Sequence, residues 1–220
     1  MSIEYEIIRS KRKTISVTVD ELGQVKVRAP LRASQKQIDA FVAQNKDWII
    51  SRAEKRHALA VRHPPIKGTE DELLPYLGGN ISLRKAASAR PRLDGKTLFI
   101  TDGKDAAEQI KRWYKEQAKE ILTAITQRVA AEYGFEYSCV KISSSKKRYG
   151  SCSEKNNINY SFRLIMFPPE CIEYVVVHEL CHTVHKNHSA GFWASVAQIC
   201  PNYKALQRKM TEESALMNAI

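Results

Sequence analysis

The sequence lacks several features that would assign it to a special class of protein. Its 220 residues contain no C-x-x-C pair, and the five cysteines that are present form an odd set. A disulfide framework and a structural zinc knuckle are therefore both disfavoured, and reduced thiols are the simpler expectation. No hydrophobic run approaches the length of a membrane span, and the first residues lack the basic start and long apolar stretch of a signal peptide. We therefore expect a cytoplasmic protein with no membrane partner.

Glycine and proline are not enriched either, and the balance of 43% hydrophobic and 27% charged residues is close to that of soluble globular proteins. Positive charge is in excess, because 35 Lys and Arg face 24 Asp and Glu, for a formal charge of +11. Such a charge favours anionic partners, among them nucleic acid, nucleotides or acidic chain segments. The clusters at residues 9–13 and 146–148 are compatible with solvated strand ends or turns, so the charge selects no single partner.

Alternating apolar residues predict a β-hairpin near the start of the chain. The alternation runs through Ile15 to Val19, turns at Glu21-Leu22-Gly23, and resumes from Val25 to Pro30. Ser34 and Gln37 then form a capping box, which predicts the start of a helix. The apolar residues at helical spacing continue towards His57 and are Ile38, Phe41, Val42, Trp48 and Ile49.

The middle of the chain predicts two strands and a long helix. The strands lie around Ile81 to Arg84 and Thr97 to Ile100, each after a glycine turn. The helix runs from Asp105 to Tyr133, and Gly134 is placed to end it. Its predicted buried side consists of Ile110, Tyr114, Ile121, Leu122, Ile125 and Val129.

The pattern changes after Gly134. Strand-like runs from Cys139 to Ser143 and from Ile158 to Leu164 flank a turn-rich stretch at 148–153, and a helix begins at Pro168-Pro169. We therefore predict an N-terminal α+β region, 1–133, with hairpin, helices and strands. A C-terminal region, 134–220, which carries the candidate catalytic motif described next, completes one compact unit.

The predicted helix after Pro169 carries the motif His178-Glu179-Leu180-Cys181-His182. A spacing of four residues puts both imidazoles on one helix face, about 6 Å apart along the axis, where two nitrogens can meet one ion. The opposite face can be buried, and it consists of Ile172, Val176, Leu180 and Thr183. A chance occurrence of the motif is expected in roughly one percent of chains with this His and Glu content.

A catalytic zinc site takes three protein ligands and keeps a position for water, so a third ligand is required. His185 lies roughly 10 Å beyond His178 on a straight helix, too far to share one small ion. His188 is the better candidate, since Asn187 can adopt the left-handed conformation that ends a helix. Ser189 would then cap the next helix, which Phe192 and Trp193 would anchor.

Glu179, between the two histidines of the motif, is predicted to be the general base. It would polarise the metal-bound water, whose pKa the ion lowers towards ~7, and pass its proton to the leaving group. Cys181 is interpreted as packing on the helix flank because three histidines already fill the protein's share of the site. His57 and His63 lie outside the pattern and receive no role.

These residues resemble those of the YgjP-like metallopeptidases, relatives of the SprT-like proteases. The resemblance rests on the motif at 178–182 and on the stretch that runs from Asn187-His188-Ser189 to Phe192-Trp193. It extends upstream to further segments: Arg148-Tyr149-Gly150-Ser151-Cys152-Ser153, Ile158-Asn159, Arg163-Leu164, Tyr174-Val175-Val176, Arg12-Lys13-Thr14-Ile15 and Val27-Arg28-Ala29-Pro30.

The resemblance implies an α+β fold, with a zincin-like catalytic unit whose HExxH helix packs on a small sheet. It also implies Zn²⁺ as the cofactor, the ligands and base named above, and no organic cofactor. Tyr149 stands where the family usually has tryptophan, and Asn156 where glycine is common; asparagine tolerates a glycine-like turn. Arg148 and Tyr149 are candidates for stabilising a developing oxyanion, although supporting a tight turn at Gly150 is the simpler role.

Three functions remain open at this point. A zinc metallopeptidase acting on polypeptide leads, with an extended substrate along a sheet edge beside the zinc helix. A metal-dependent nucleotide pyrophosphatase of the UTP type is the alternative, because that activity has been assigned within the YgjP-like group, but no Gly-rich phosphate loop supports it. A nucleic-acid-associated binding protein comes last, since the sequence has basic segments without a recognisable reading helix or stacking motif.

Overall fold

The computed structural model describes residues 3–20, 22–87 and 90–220, and the chain divides into two compact units. The first unit is Met1–Pro64 and the second is Pro65–Ile220, so the division differs from the sequence-based one at residue 133. The physical reason is the long helix before Gly134, whose buried residues share one hydrophobic cluster with those of the helix that carries the HExxH motif. Residues 65–133 therefore pack with the C-terminal region.

The first unit contains a three-stranded sheet that includes the predicted hairpin. Its strands are β1 (Glu6–Ser10), β2 (Ser16–Val19) and β3 (Val25–Pro30), in the order β1-β3-β2. β2 pairs with β3 in antiparallel register, which confirms the hairpin, and β1 adds to β3 in parallel. In the turn the carboxylate of Asp20 accepts the N–H groups of Leu22 and Gln24, whereas Glu21 lies outside the described residues.

Two helices, α1 (Gln35–Gln44) and α2 (Lys46–Arg62), follow where the sequence predicted one. The capping box is confirmed, because Ser34 accepts the N–H of Gln37 and the Gln37 side chain accepts that of Ser34. The interruption is at Asn45, whose side-chain amide donates to the carbonyl of Phe41 and competes with the helical ladder. Trp48, predicted on the apolar face, is 52% exposed, while Ile49 is fully buried.

The second unit contains two sheets. The first consists of β4 (Leu73–Tyr76), β5 (Gly79–Ala86), β6 (Arg92–Asp94) and β7 (Thr97–Thr101), in the order β4-β5-β7-β6. The second consists of β8 (Cys139–Ser143), β9 (Gly150–Cys152) and β10 (Asn157–Ser161), in the order β8-β10-β9. β10 pairs in parallel with β8 and antiparallel with β9, which leaves β9 at the edge of its sheet.

The long helix α3 (Ala106–Tyr133) lies between the two sheets in the chain. Asp105 caps it by accepting the N–H of Glu108, and Gly134 ends it in the left-handed conformation, at φ 73°. The predicted stripe is largely buried: Ile110, Tyr114, Leu122 and Val129 are inside, and only Ile121 and Ile125 are partly exposed. Helical spacing thus identified the packed face of α3 correctly.

The sequence expected the strand that begins near Ile158 to reach Leu164, but β10 stops at Ser161. Ser161 accepts the N–H of Arg163 and so caps a 3-10 helix, Phe162–Met166, which is buried throughout. The remaining elements are α4 (Pro169–Val184), α5 (Ala190–Ile199), α6 (Tyr203–Glu212) and a 3-10 helix, Ser214–Asn218. Within the described ranges, no helix is both long and apolar enough to cross a membrane.

Candidate metal centre

Helix α4 presents two of the predicted metal ligands and buries the face opposite to them. Pro169 occupies its first turn, where no intrahelical N–H is required. Ile172, Val176 and Leu180 are fully buried, as the periodicity predicted, whereas Thr183 is only partly buried. The packing of α4 therefore leaves the imidazoles of the motif on its partly exposed side.

Three histidine nitrogens converge beside α4. The Nε2 atom of His188 lies 3.1 Å from that of His178 and 3.2 Å from that of His182, and the three ligand atoms all lie within 4.8 Å of one another. Nitrogens held about 2.0 to 2.1 Å from one tetrahedral ion are roughly 3.3 Å apart. The arrangement therefore fits a shared metal ion.

His188 reaches this position by a different route from the one predicted. Asn187 is not among the described residues with a left-handed backbone, and α4 ends instead at Val184, with His185 as its C-cap at φ −116° and ψ 103°. The Asn187 side chain accepts the N–H of Ser189, and Ser189 caps α5 by accepting the N–H of Phe192. The turn is thus made by polar side chains that bind neighbouring backbone groups, without the left-handed residue.

A second layer of contacts orients the ligand rings. Nδ1 of His182 lies 2.8 Å from the carbonyl oxygen of His185, and it must donate there because a carbonyl only accepts. This bond leaves Nε2 of His182 as the free acceptor that a metal needs. Phe192 stacks on His182 and Trp193 on His188, with centroid separations of 4.4 Å and 5.6 Å.

His185, the rejected third ligand, is held elsewhere. Its Nε2 atom lies 3.1 Å from the hydroxyl of Ser195, which in turn donates to the carbonyl of Gly191. The His185 ring therefore braces the loop against α5, and it is not a member of the histidine cluster.

Burial favours the neutral form of two of the clustered imidazoles, those of His178 and His182. Burial lowers the pKa of His178 to about 3, with further lowering from His182 and His188. Burial also lowers the pKa of His182. Neutral imidazole is the form that coordinates a cation, so this donor set suits a metal ion.

Glu179 belongs to α4 and lines the same cleft as His178. It is only 5% exposed, and burial raises its pKa to about 8. Among the residues that the structure describes, its Oε2 atom has no hydrogen-bond partner. A buried carboxylate oxygen without a partner is costly, and a metal ion with a water molecule beside it would satisfy this one.

Gly150 on β9 makes room for Glu179. A Cβ atom at Gly150 would lie 2.6 Å from Oε1 of Glu179, closer than real contacts allow. The sequence had assigned Gly150 only to a tight turn, and its contact with Glu179 was missed. Nothing in the spacing of the two residues indicates that contact, because it forms between different elements.

The two residues proposed to support an oxyanion line the same cleft but make different contacts. The hydroxyl of Tyr149 donates to the carbonyl of Met210, 3.1 Å away, and its ring packs edge-on against Phe167. Arg148 is exposed and lines a cleft of about 200 Å³ together with Glu179 and other residues of α4 and β9. Tyr149 therefore contributes its ring to the cleft while its hydroxyl is engaged elsewhere.

One further residue of the cleft, and one contact made by the loop after α4, were not predicted. Tyr174 lines the same cleft and packs edge-on against His178, with ring centroids 6.0 Å apart. It precedes His178 by four residues, so helical spacing contains the signal that would have found it. Lys186 donates to the carbonyl of Ser153 and to the side chain of Asn156, which adopts φ 55° at its glycine-like turn.

Comparison with protein families gives this geometry a context. The model of the YgjP-like family, described as a metallopeptidase domain, matches residues 13–213. The chain belongs to the YgjP-like family. Membership makes this YgjP-like chain a metal-dependent peptidase by class, and the matched range includes the whole histidine cluster and Glu179.

The solved structures and the curated proteins give less information about this chain. Among solved structures, the metallopeptidase zymogen of Pyrococcus abyssi abylysin is similar, with 23% sequence identity and a TM-score of 0.38 over 41% of this chain and 93% of that chain. No curated protein matches the sequence of this YgjP-like chain.

Proposed function

We propose that the protein is a zinc metallopeptidase of the zincin kind, in which His178, His182 and His188 hold the metal and Glu179 is the general base. The observation that carries the proposal is the convergence of one nitrogen from each of three histidines within 4.8 Å, beside helix α4, whose buried Glu179 has an oxygen without a partner among the described residues. Family membership supports a peptidase reaction, and the positions of the side chains support the role proposed for each residue.

Zinc is the metal that suits these ligands. Neutral imidazoles favour zinc over magnesium or calcium, which prefer oxygen ligands. Three protein ligands also leave a coordination position for a small molecule. When bound, zinc supplies a Lewis acid that polarises a carbonyl group and lowers the pKa of water towards ~7.

Glu179 moves the proton in this proposal. Its carboxylate accepts a proton as water attacks the peptide carbonyl carbon, and it then gives that proton to the nitrogen of the leaving amine as the C–N bond breaks. Burial raises the pKa of Glu179 to about 8, so its carboxylate holds a proton more strongly than one in water, and the charge of a nearby Zn²⁺ would lower that pKa again.

The edge strand β9 supports an extended polypeptide as the substrate. β9 pairs with β10 on one side only in the order β8-β10-β9, and its Gly150 lies against Glu179. A substrate strand that pairs with such an edge brings its backbone past the catalytic carboxylate. We propose that the scissile peptide bond is presented in this way.

Glu179→Gln tests the proposal because the amide has nearly the same shape but cannot accept the proton. Zinc-loaded wild type and variant are incubated with a panel of unfolded proteins, and released fragments are identified by mass. We expect peptide products from the wild type, a loss of at least about 100-fold in the variant, and unchanged zinc content.

The same panel includes nucleoside triphosphates, which the sequence left open as substrates. Release of nucleoside monophosphate and pyrophosphate, without peptide products, would contradict the peptidase proposal. Equal turnover of peptide by wild type and Glu179→Gln would instead contradict the role of Glu179.

A further inference from the structure

The turn before β9 presents three consecutive cations. Lys146, Lys147 and Arg148 are all exposed. Among the described residues, none of the three side chains takes part in an ion pair or a side-chain hydrogen bond. The turn therefore offers unpaired positive charge at the place where the chain enters the edge strand.

Hydrogen bonds from buried side chains connect the backbone of this turn to the core. The hydroxyl of Ser145 accepts the backbone N–H groups of Lys147 and Arg148, at 3.3 Å and 3.1 Å. Ser161, which is 1% exposed, donates to the carbonyl of Ser145 at 2.7 Å. Arg163, which is 3% exposed, donates to the carbonyl of Ser144 at 2.9 Å. The backbone beneath the exposed cations is thus braced from the core.

Of the three cations, Arg148 belongs to the catalytic cleft. It lines the cleft of about 200 Å³ together with His178 and Glu179. The acidic residues on the exposed side of α4 are already paired, Glu170 with Lys209 and Glu173 with Arg128. Arg148 consequently has no acidic partner there and is available to a ligand.

We infer that Arg148 is a specificity-determining residue that binds a carboxylate of the polypeptide substrate. The inference rests on the proposed peptidase function. A guanidinium group presents a planar fork of N–H donors that matches the two oxygens of a carboxylate. The carboxylate belongs either to an acidic side chain near the scissile bond or to the substrate's own C-terminus, and both present the same group.

Lys146 and Lys147 act at longer range. Exposed ammonium groups beside the cleft attract an acidic segment before contact, and salt weakens this attraction. They do not line the cleft, so they add little to the choice between a carboxylate and its amide. This difference makes Lys147 a matched control, because Lys147→Gln removes the same charge from the same turn.

The test uses peptide pairs that differ only by Glu against Gln near the cleaved bond, each made with a free or an amidated C-terminus. Zinc-loaded wild type, Arg148→Gln, Arg148→Lys and Lys147→Gln are compared by kcat and KM. We expect the wild type to prefer the carboxylate form by about tenfold, mainly through KM. Arg148→Gln should reduce this preference to less than about twofold, Arg148→Lys should keep part of it, and Lys147→Gln should keep nearly all of it.

This set of peptides distinguishes the two possible sources of the carboxylate. A preference that follows Glu against Gln assigns the contact to an acidic side chain, and one that follows amidation assigns it to the substrate's C-terminus. A wild-type enzyme indifferent to both would overturn the inference. An equal fall in kcat for all four peptides in Arg148→Gln, with KM unchanged, would also overturn it, because Arg148 would then act on the developing oxyanion.

A binding measurement, which needs no turnover, tests the inference independently of the peptidase proposal. The affinity of zinc-loaded Glu179→Gln for labelled versions of the same peptides is measured by fluorescence anisotropy, with and without Arg148→Gln. A carboxylate preference that depends on Arg148 supports the inference even if the wild type cleaves no peptide, a result that would reject the proposed function alone. Cleavage of peptides with the same preference in wild type and Arg148→Gln would reject the inference alone.

Discussion

At the scale of single residues, the ligand nitrogens owe their positions to contacts made by the rest of each ring. His182 is fixed through its other nitrogen, and His188 through stacking on Trp193. His185 contacts Ser195 instead of the metal ligands, although it lies between His182 and His188 in the sequence. Sequence spacing could exclude His185 on distance, but the contacts that hold His188 in place come from α5 and could not be predicted.

Replacing His188 and His185 by alanine should separate their roles. His188→Ala removes a converging nitrogen, so we expect zinc affinity to fall by at least about 100-fold in competition with a chromophoric chelator. His185→Ala keeps the backbone carbonyl that orients His182, so its zinc affinity should stay within a few-fold of wild type. The opposite ranking would mean that His185 supplies the third ligand.

Gly150→Ala tests whether catalysis requires the space that Gly150 leaves for the Glu179 side chain. The added Cβ would lie 2.6 Å from Oε1 of Glu179, so the carboxylate must move. A displacement of about 1 Å can reduce activity roughly 100-fold, and we expect such a loss in kcat/KM with unchanged zinc affinity. Gly79→Ala is the control, because its Cβ would meet nothing closer than 3.7 Å. Equal activity in both variants would contradict the proposed constraint.

At the scale of elements, the features that depend on residues close together in the sequence were predicted correctly. The hairpin, the capping box at Ser34 and the ends of α3 all depend on residues within a few positions of one another, and all were predicted. The break at Asn45 was missed because it depends on a side chain that competes with the helix backbone. The contact between Gly150 and Glu179 was missed because it joins a strand and a helix.

Gly134→Ala should cost stability through backbone conformation alone. Gly134 ends α3 at φ 73°, and an added Cβ would meet no atom within 4 Å, so no clash contributes. We expect the free energy of unfolding to fall by about 1 kcal/mol in urea denaturation of the zinc-free protein. Gly134→Asn should lose less, because asparagine tolerates the left-handed region. An equal loss for both variants would indicate another cause.

At the scale of the whole molecule, the chain has two hydrophobic clusters. We expect the two units that contain them to differ in how far metal binding stabilises them. One cluster lies within the first unit, around Val27, Ile38 and Ile49, and the other includes residues of α3 and α4 in the second. All three candidate ligands belong to the second unit. A bound ion therefore stabilises directly only the unit that supplies its ligands.

Removal of zinc should lower the melting temperature of the second unit and leave the first unchanged. Free zinc at 100 times its Kd contributes about 2.7 kcal/mol, which corresponds to roughly 5 to 10 °C for a unit of this size. Hydrogen exchange with and without a chelator resolves the two units, and His188→Ala is the control that should not respond to zinc. Equal protection changes in both units would show that metal binding couples them.

The hydrogen bond from His182 to the carbonyl of His185 has a consequence for how the protein can vary. Its acceptor is a backbone atom, which every amino acid supplies, so no ordinary side-chain replacement at position 185 deletes it. A side-chain mutation at position 185 therefore leaves in place the acceptor that orients His182. An ester in place of the amide that joins residues 185 and 186 would weaken that acceptor, and chemical synthesis can reach this bond where mutagenesis cannot.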